Sequence, residues 1–341
     1  MDAEKVARDN AALAKAVQAA VPFENIPFAT LGAGVGLSES QVLGTLRAWQ
    51  EEGKLREISA VLEASAVGYE TTLVASAVPD SDLERVARIA CEHPTVTHCY
   101  RRDHRYNFWF TLGVPTDMGI TATLKRLSRA AGGTHFVSLP RTHAFKIAVG
   151  FDLETRKNAA EAQGAPSEVA PIAVSTRSVR LFRALQAPLP LEPRPFYAQA
   201  AAMGLREDEL VEFGRRHLGG AIRRYVATLR HRALGVRGNG LVAWQVPEDK
   251  IVEVGRTLAL APEVSHCYAR ESIPDFPYRL YTMVHGPDEE SCLRTTARLA
   301  AGAGVPDYRV LFSTREYKKC RLRYFLPELD QWWNAQEELA S

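Results

Sequence analysis

Residues 96–101 read Val96-Thr97-His98-Cys99-Tyr100-Arg101, and residues 264–270 read Val264-Ser265-His266-Cys267-Tyr268-Ala269-Arg270. The uncommon run His-Cys-Tyr therefore returns 168 positions later in a chain of 341 residues. Val78-Pro79 and Val246-Pro247 share that offset. Further on it becomes 172, matching Tyr106 with Tyr278, Pro115 with Pro287, Leu139 with Leu311 and Thr142 with Thr314. A period this long is no solenoid unit. The chain must fold as two related halves, a duplicated domain pair or a fusion of two homologous subunits.

Each half shows the same succession. Val6, Leu13, Ala16 and Val17 recur at helical spacing before Pro22, and Ser38 caps a helix carrying Val42, Leu43 and Leu46 on one face. This is a helix-turn-helix pattern, with a strand from Leu55 as its wing. Strands and amphipathic helices then alternate to Leu139 in the order hairpin, helix, hairpin, helix, strand. The expected fold is α+β: two tandem copies of a helix-turn-helix domain followed by a ferredoxin-like α/β sandwich, packed as a pseudodimer. The expected boundaries are helix-turn-helix domains at residues 1–54 and 172–221, sandwiches at 55–151 and 222–326, a polar Ala-rich linker at 152–171 and a tail at 327–341.

A net charge of +2 excludes a globally polyanion-binding chain, so any charge signal must be local. The five cysteines form no CxxC pair, which argues against a zinc site or a disulfide framework. With no apolar run long enough to span a membrane and no basic leader, the expectation is a cytoplasmic protein without membrane contact.

One local signal stands out. Between Glu212 and Glu248 no acid occurs, while Arg215, Arg216, Arg223, Arg224, Arg230, Arg232 and Arg237 do, with His217 and His231 among them. The corresponding stretch of the first half offsets Lys54 and Arg56 with Glu57 and Glu63. Such a run suits either a nucleic-acid backbone or a small ligand with several carboxylates; the bland reading is solvated arginines bridging to acids elsewhere. Arg206-Glu207-Asp208-Glu209 opens the second recognition helix with three acids, which would repel phosphate. The arginines fall mainly on a strand from Ile222, where alternation places Arg223, Tyr225 and His231 on one face and Arg224 and Arg230 on the other. That is the composition of a carboxylate-binding wall. Trp109, Trp244, Tyr106, Tyr225 and Tyr281 could stack on a flat ligand, although strand aromatics more often pack in a core.

The helix-turn-helix and sandwich together resemble the Lrp/AsnC regulators. Val96 to Arg101 with His104, Tyr106-Asn107 and Trp109-Phe110-Thr111-Leu112 resembles the first subunit of sirohaem decarboxylase. Arg223-Arg224-Tyr225, Arg230-His231-Arg232, Asn239, Trp244-Gln245-Val246-Pro247, Ser265 to Tyr268 and Tyr281 to Gly286 resemble the second. Their order resembles the fused form from haem d1 biosynthesis. The resemblance implies removal of the acetate carboxyls at C12 and C18 of sirohaem, giving didecarboxysirohaem in haem d1 or alternative haem biosynthesis. It implies no added cofactor, because the iron belongs to the substrate, and no use of DNA; other proteins of the pathway and further copies of the chain are the implied partners. His98, His104, His231 and His266 form the pool for proton donor and ligand of the substrate iron. Arg223, Arg224, Tyr225, Arg230, Arg232, Tyr100, Arg101, Asn107, Trp109, Asn239, Trp244 and Arg270 are the implied substrate contacts. A transcription regulator and a non-catalytic tetrapyrrole carrier are the alternatives.

Overall fold

A computed structural model of the chain describes residues 3–151, 158–162, 169, 171–229, 238–273 and 275–338. It divides into two compact units: Met1–Val67, Ala148–Glu161 and Glu168–Val236 form the first, and Gly68–Ile147, Ala162–Ser167 and Arg237–Ser341 the second.

The first unit holds helices α1 (Ala3–Ala19), α2 (Pro27–Val35), α3 (Glu39–Glu51), α6 (Thr176–Gln186), α7 (Pro195–Ala202) and α8 (Glu207–His217). The capping box at Ser38 forms as the sequence suggests: the Gln41 N–H donates to Ser38 Oγ and the Gln41 side chain accepts from the Ser38 N–H. Strands β1 (Leu55–Leu62) and β7 (Ile222–Leu229) pair antiparallel with each other. The strand from Leu55 was expected as the wing of the first helix-turn-helix, yet the expected boundaries counted it and the strand from Ile222 with the sandwiches. Instead they belong to the helical unit, so the divisions fall at 67/68 and 236/237 rather than at 54/55 and 221/222.

The second unit contains β2 (Tyr69–Ser76), α4 (Leu83–Glu92), β3 (Val96–Arg102), β4 (Phe108–Pro115), α5 (Ile120–Ala130) and β5 (Val137–Phe151) as far as Ile147, a β-α-β-β-α-β succession. The same succession recurs in β8 (Gly238–Trp244), α9 (Ile251–Ala259), β9 (Val264–Arg270), β10 (Leu280–Gly286), α10 (Glu289–Ala303) and β11 (Tyr308–Lys319). Helix α11 (Pro327–Glu338) ends the described chain. The strands run β2-β4-β3-β11-β8-β10-β9-β5, and β5 also pairs with β2, so the series closes on itself. The short strand β6 (Asn158–Ala162) follows β5 in that order, within the stretch expected to be an unpatterned linker; residues 152–157 and 163–168 of that stretch lie outside the described residues.

Two long strands make the closure. From Val137 to Pro140, β5 pairs with β2; from Arg141 to Ile147 it pairs with β9. Likewise β11 pairs with β8 from Tyr308 to Phe312 and with β3 from Ser313 to Lys319. The expected strand stopped at Leu139 before a proline. Pro140 sits where the strand changes neighbours, a position that tolerates the missing N–H. By taking up each other's strands, β3 and β9 avoid open edges.

Three apolar clusters fill this unit. One lies under α4 and α5 and includes Val86, Val96, Cys99, Phe110 and Leu127. A second lies under α9 and α10 and includes Trp244, Val264, Cys267 and Leu280. The third draws on both halves, with Ala75, Trp109 and Leu139 beside Leu241, Tyr281 and Leu311. Among the described residues no helix is long and apolar enough to cross a membrane.

Candidate functional site

Cys99 and Cys267 turn into the helix-covered cores, so the residues around them face the other way. On β9 this puts His266 beside Tyr268, with ring centroids 5.9 Å apart, and Tyr268 beneath the guanidinium of Arg270 at 5.6 Å and that of Arg141 at 5.8 Å. On β3 the guanidinium of Arg102 lies 5.4 Å from the Tyr100 ring. The His-Tyr pairs thus share a face as alternation predicts, and each is extended by an arginine.

At the offset of 168 the counterpart of Arg270 is Arg102, not Arg101. Arg102 Nη1 donates to the Leu311 carbonyl at 2.7 Å, and Arg270 Nη1 donates to the Leu139 carbonyl at 2.7 Å. Burial pulls both guanidinium pKa values down to about 10. Arg270, expected to contact substrate, therefore spends one nitrogen on the strand of the other half.

A cavity of about 530 Å³ opens where β3 ends, lined by Asp80, Arg101, Arg102, Asp103, His104, Arg105, Asn107 and Thr314. Arg101 pairs with Asp80 at 2.9 Å and Arg105 with Asp275 at 3.3 Å. Arg102 is buried, and its Nε finds no hydrogen-bond partner among the described residues. Three arginines and an imidazole against two aspartates make the wall cationic. His104 Nδ1 accepts from the Tyr106 N–H at 3.0 Å, and its ring meets Phe276 edge-on at 5.2 Å. Burial lowers its pKa, Arg309 and Arg105 lower it further, and Asp103 opposes them. His104 is thus biased towards neutral imidazole, and with Nδ1 accepting from the backbone its hydrogen sits on Nε2, where it can donate to a ligand.

Several expected contacts have other duties. Asn107 donates Nδ2 to the Val78 carbonyl and accepts from the Val78 N–H, so both ends of its amide are used by backbone. Trp109 is buried and donates to the Tyr106 carbonyl at 2.6 Å; Trp244 is buried and donates to Thr282 Oγ1 at 3.0 Å. Neither can stack on a ligand. Tyr225 is buried between Phe23 and Phe196, with centroids at 4.7 and 5.6 Å. Asn239 keeps its Oδ1 buried with no partner among the described residues.

The arginine wall on β7 does not form as drawn. The ladder steps from Val61–Arg224 to Leu62–Ile222, leaving Arg223 as a bulged residue. A bulge breaks the alternation, so Arg223 leaves Tyr225 for Glu63, at 3.6 Å. Arg230, His231 and Arg232 lie outside the described residues. Arg223, Arg224 and Tyr225 belong to the first unit; His98, Tyr100, Arg101, His104, Asn107, Trp109, Asn239, Trp244, His266 and Arg270 belong to the second. Within the second unit His98 stands apart from the cavity: four residues of strand, about 13 Å at about 3.3 Å each, separate it from Arg102.

Sequence reasoning missed Arg102, Asp103, Arg105 and Thr314 in the cavity wall, and His285, whose Nε2 lies 2.6 Å from Ser265 Oγ. The repeat offsets could have found Arg102 and Thr314, as partners of Arg270 and Thr142. Nothing in spacing could have joined Ser265 to His285.

The chain matches the family model of the AsnC-like ligand binding domain twice, at residues 66–146 and 233–318. It matches that of the "Siroheme decarboxylase NirDL-like HTH domain" at residues 10–56. It is 34% identical over 322 residues to "Siroheme decarboxylase" of Hydrogenobacter thermophilus, covering 94% of this chain and 96% of that one. It is 32% identical over 305 residues to "Siroheme decarboxylase NirDL subunit" of Paracoccus denitrificans, covering 88% and 92%. A crystal structure of the siroheme decarboxylase NirDL in co-complex with an iron-uroporphyrin III analogue superposes with a TM-score of 0.78 at 28% identity, covering 98% of this chain and all of that one.

Proposed function

The chain belongs to the sirohaem decarboxylase family, and from that premise we propose that it is a carboxy-lyase removing the C12 and C18 acetate carboxyls of sirohaem. The observation that carries this reading is the reach of the likeness, 94% of the chain at 34% identity, which takes in the helical segments as well as both sandwiches. A shared fold alone would support a regulator equally well.

Loss of carbon dioxide from a pyrrole acetate leaves an electron pair on the former methylene carbon. The macrocycle delocalises it, and a proton from an imidazole completes the methyl group. The arginines that line the cavity, Arg101, Arg102 and Arg105, suit the carboxylates that are retained and so orient the two that leave. The iron is part of the substrate, and no resident cofactor enters this reading.

The two AsnC-like segments are read as tandem copies packed as an internal dimer. Their matching hydrogen bonds support this: Arg102 to Leu311 against Arg270 to Leu139, and Trp109 Nε1 to the Tyr106 carbonyl against Tyr281 Oη to the Tyr278 carbonyl. DNA has no part in the reading. The first-turn acids of α8 each face an arginine, Glu207 with Arg194, Asp208 with Arg206 and Glu209 with Arg177, which leaves that helix end without the spare positive charge phosphate requires.

Anaerobic incubation with sirohaem followed by mass spectrometry of the extracted tetrapyrrole tests the proposal. Loss of two carbon dioxide units is expected. Tight binding with an unchanged mass would support a carrier instead.

A further inference from the structure

The turn between β9 and β10 is longer than the turn between β3 and β4 that it answers. The repeat offset is 168 at Arg102 and Arg270 but 172 at Tyr106 and Tyr278, so the second half carries four more residues there. Residues 271–273 and 275–279 of the longer turn are described. The Phe276 N–H donates to the Ile273 carbonyl at 2.9 Å, which bridges the turn on itself.

This turn reaches the other half. The Phe276 ring meets His104 edge-on, with centroids 5.2 Å apart and planes at 67°, and Asp275 pairs with Arg105 at 3.3 Å. His104 and Arg105 both line the cavity, as does Thr314 from β11 of the second half. At the offset of 172, His104 and Phe276 are equivalent positions. The repeat therefore brings one position of each half against the other, with an imidazole on one side and an apolar ring on the other.

The two contacts differ in weight. Arg105 and Asp275 are each more than half exposed, so their ion pair does little to hold the turns together. Phe276 is 1% exposed and is bounded by Tyr106 at 5.6 Å, Trp109 at 5.7 Å and Tyr278 at 4.7 Å. It is a fixed surface, whereas His104 is partly exposed. The bond from the Tyr106 N–H to Nδ1 sets the tautomer of His104, but the ring could still tilt about that bond. Tyr106, nearly parallel at 6.3 Å, and Phe276, edge-on, limit the tilt.

We propose that Phe276 is a positioning residue: from the second half it seats the His104 imidazole of the first, so that Nε2–H meets a carboxylate of the bound tetrapyrrole. The inference rests on the lyase reading for the identity of its ligand. A carboxylate received there is one more fixed point of the macrocycle beside those offered by the cavity arginines.

The test is equilibrium binding of iron uroporphyrin III to the full chain, followed by absorbance, in a double-mutant cycle. Phe276→Leu keeps apolar bulk and loses the ring edge; it should weaken binding about fivefold to tenfold. His104→Ala should weaken it at least about tenfold, and the double variant should bind no more weakly than His104→Ala alone. Phe110→Leu, in the core under α4 and α5, should lower the melting temperature and leave the affinity within about twofold. Additive losses in the double variant, or unchanged binding in Phe276→Leu, would overturn the positioning role. Equal weakening by Phe110→Leu would reduce Phe276 to a core residue. Unchanged binding in His104→Ala would overturn the carboxylate contact. If sirohaem keeps its mass with the unsubstituted chain while iron uroporphyrin III follows the cycle, the lyase reading falls and the positioning role stands.

Discussion

Burial of one imidazole ties the stability of this protein to pH. His93 is buried, its Nδ1 accepts from the Thr95 N–H at 3.2 Å, and its ring lies 4.2 Å from Trp332. Burial pulls its pKa down to about 3, and Lys318 adds to the shift. The unfolded chain would bind a proton there below about 6.5, whereas the folded chain refuses it until about 3. Stability therefore falls as pH drops through that window and levels off below it. At pH 5 the loss should be about 2 kcal/mol relative to neutrality, and denaturant unfolding of His93→Asn across the same pH values should show a flatter limb. Residue identities alone gave no hint of this, since His93 belongs to neither repeat motif. The aromatic residues were equally ambiguous: Trp109 and Trp244 read as stacking platforms or as core, and their spent indole N–H groups decide for core.

At the level of elements, periodicity fixed the helices well and the strand boundaries poorly. Helix α3, with Ser38 as its cap and Val42, Leu43 and Leu46 buried, follows from local chemistry. Gly44 inside it has nothing within 4 Å of an added Cβ, so Gly44→Ala should raise stability by about 0.5–1 kcal/mol in urea unfolding. Gly255 in α9 is the opposite case. A Cβ there would lie 2.4 Å from the Phe145 ring of β5, so Gly255→Ala should cost about 1–3 kcal/mol. A stabilising Gly255→Ala would mean that the helix and strand can separate freely. The bulge at Arg223 and the passage of β5 through Pro140 were illegible for one reason: both depend on which neighbour a strand finds, and that neighbour lies far away in the chain.

Across the second unit, Arg102 and Arg270 each tie their own half to the long strand of the other. Replacing either by methionine leaves a strand carbonyl without its charged donor, at a cost of about 1–3 kcal/mol. Because the strands are exchanged, Arg102→Met and Arg270→Met should lower the same calorimetric transition; two transitions, each sensitive to one variant, would show that the halves melt independently.

The sequence by itself determined the duplication, the helix-turn-helix and sandwich succession and the family, because these rest on residue type and on spacing along the chain. Only the tertiary structure decided that β1 pairs with β7 within the helical unit, that Arg102 and Arg270 each bond the long strand of the other half, and that Ser265 joins His266 to His285. Each of these is set by pairing register and side-chain direction between distant segments, and a chemical repeat records neither.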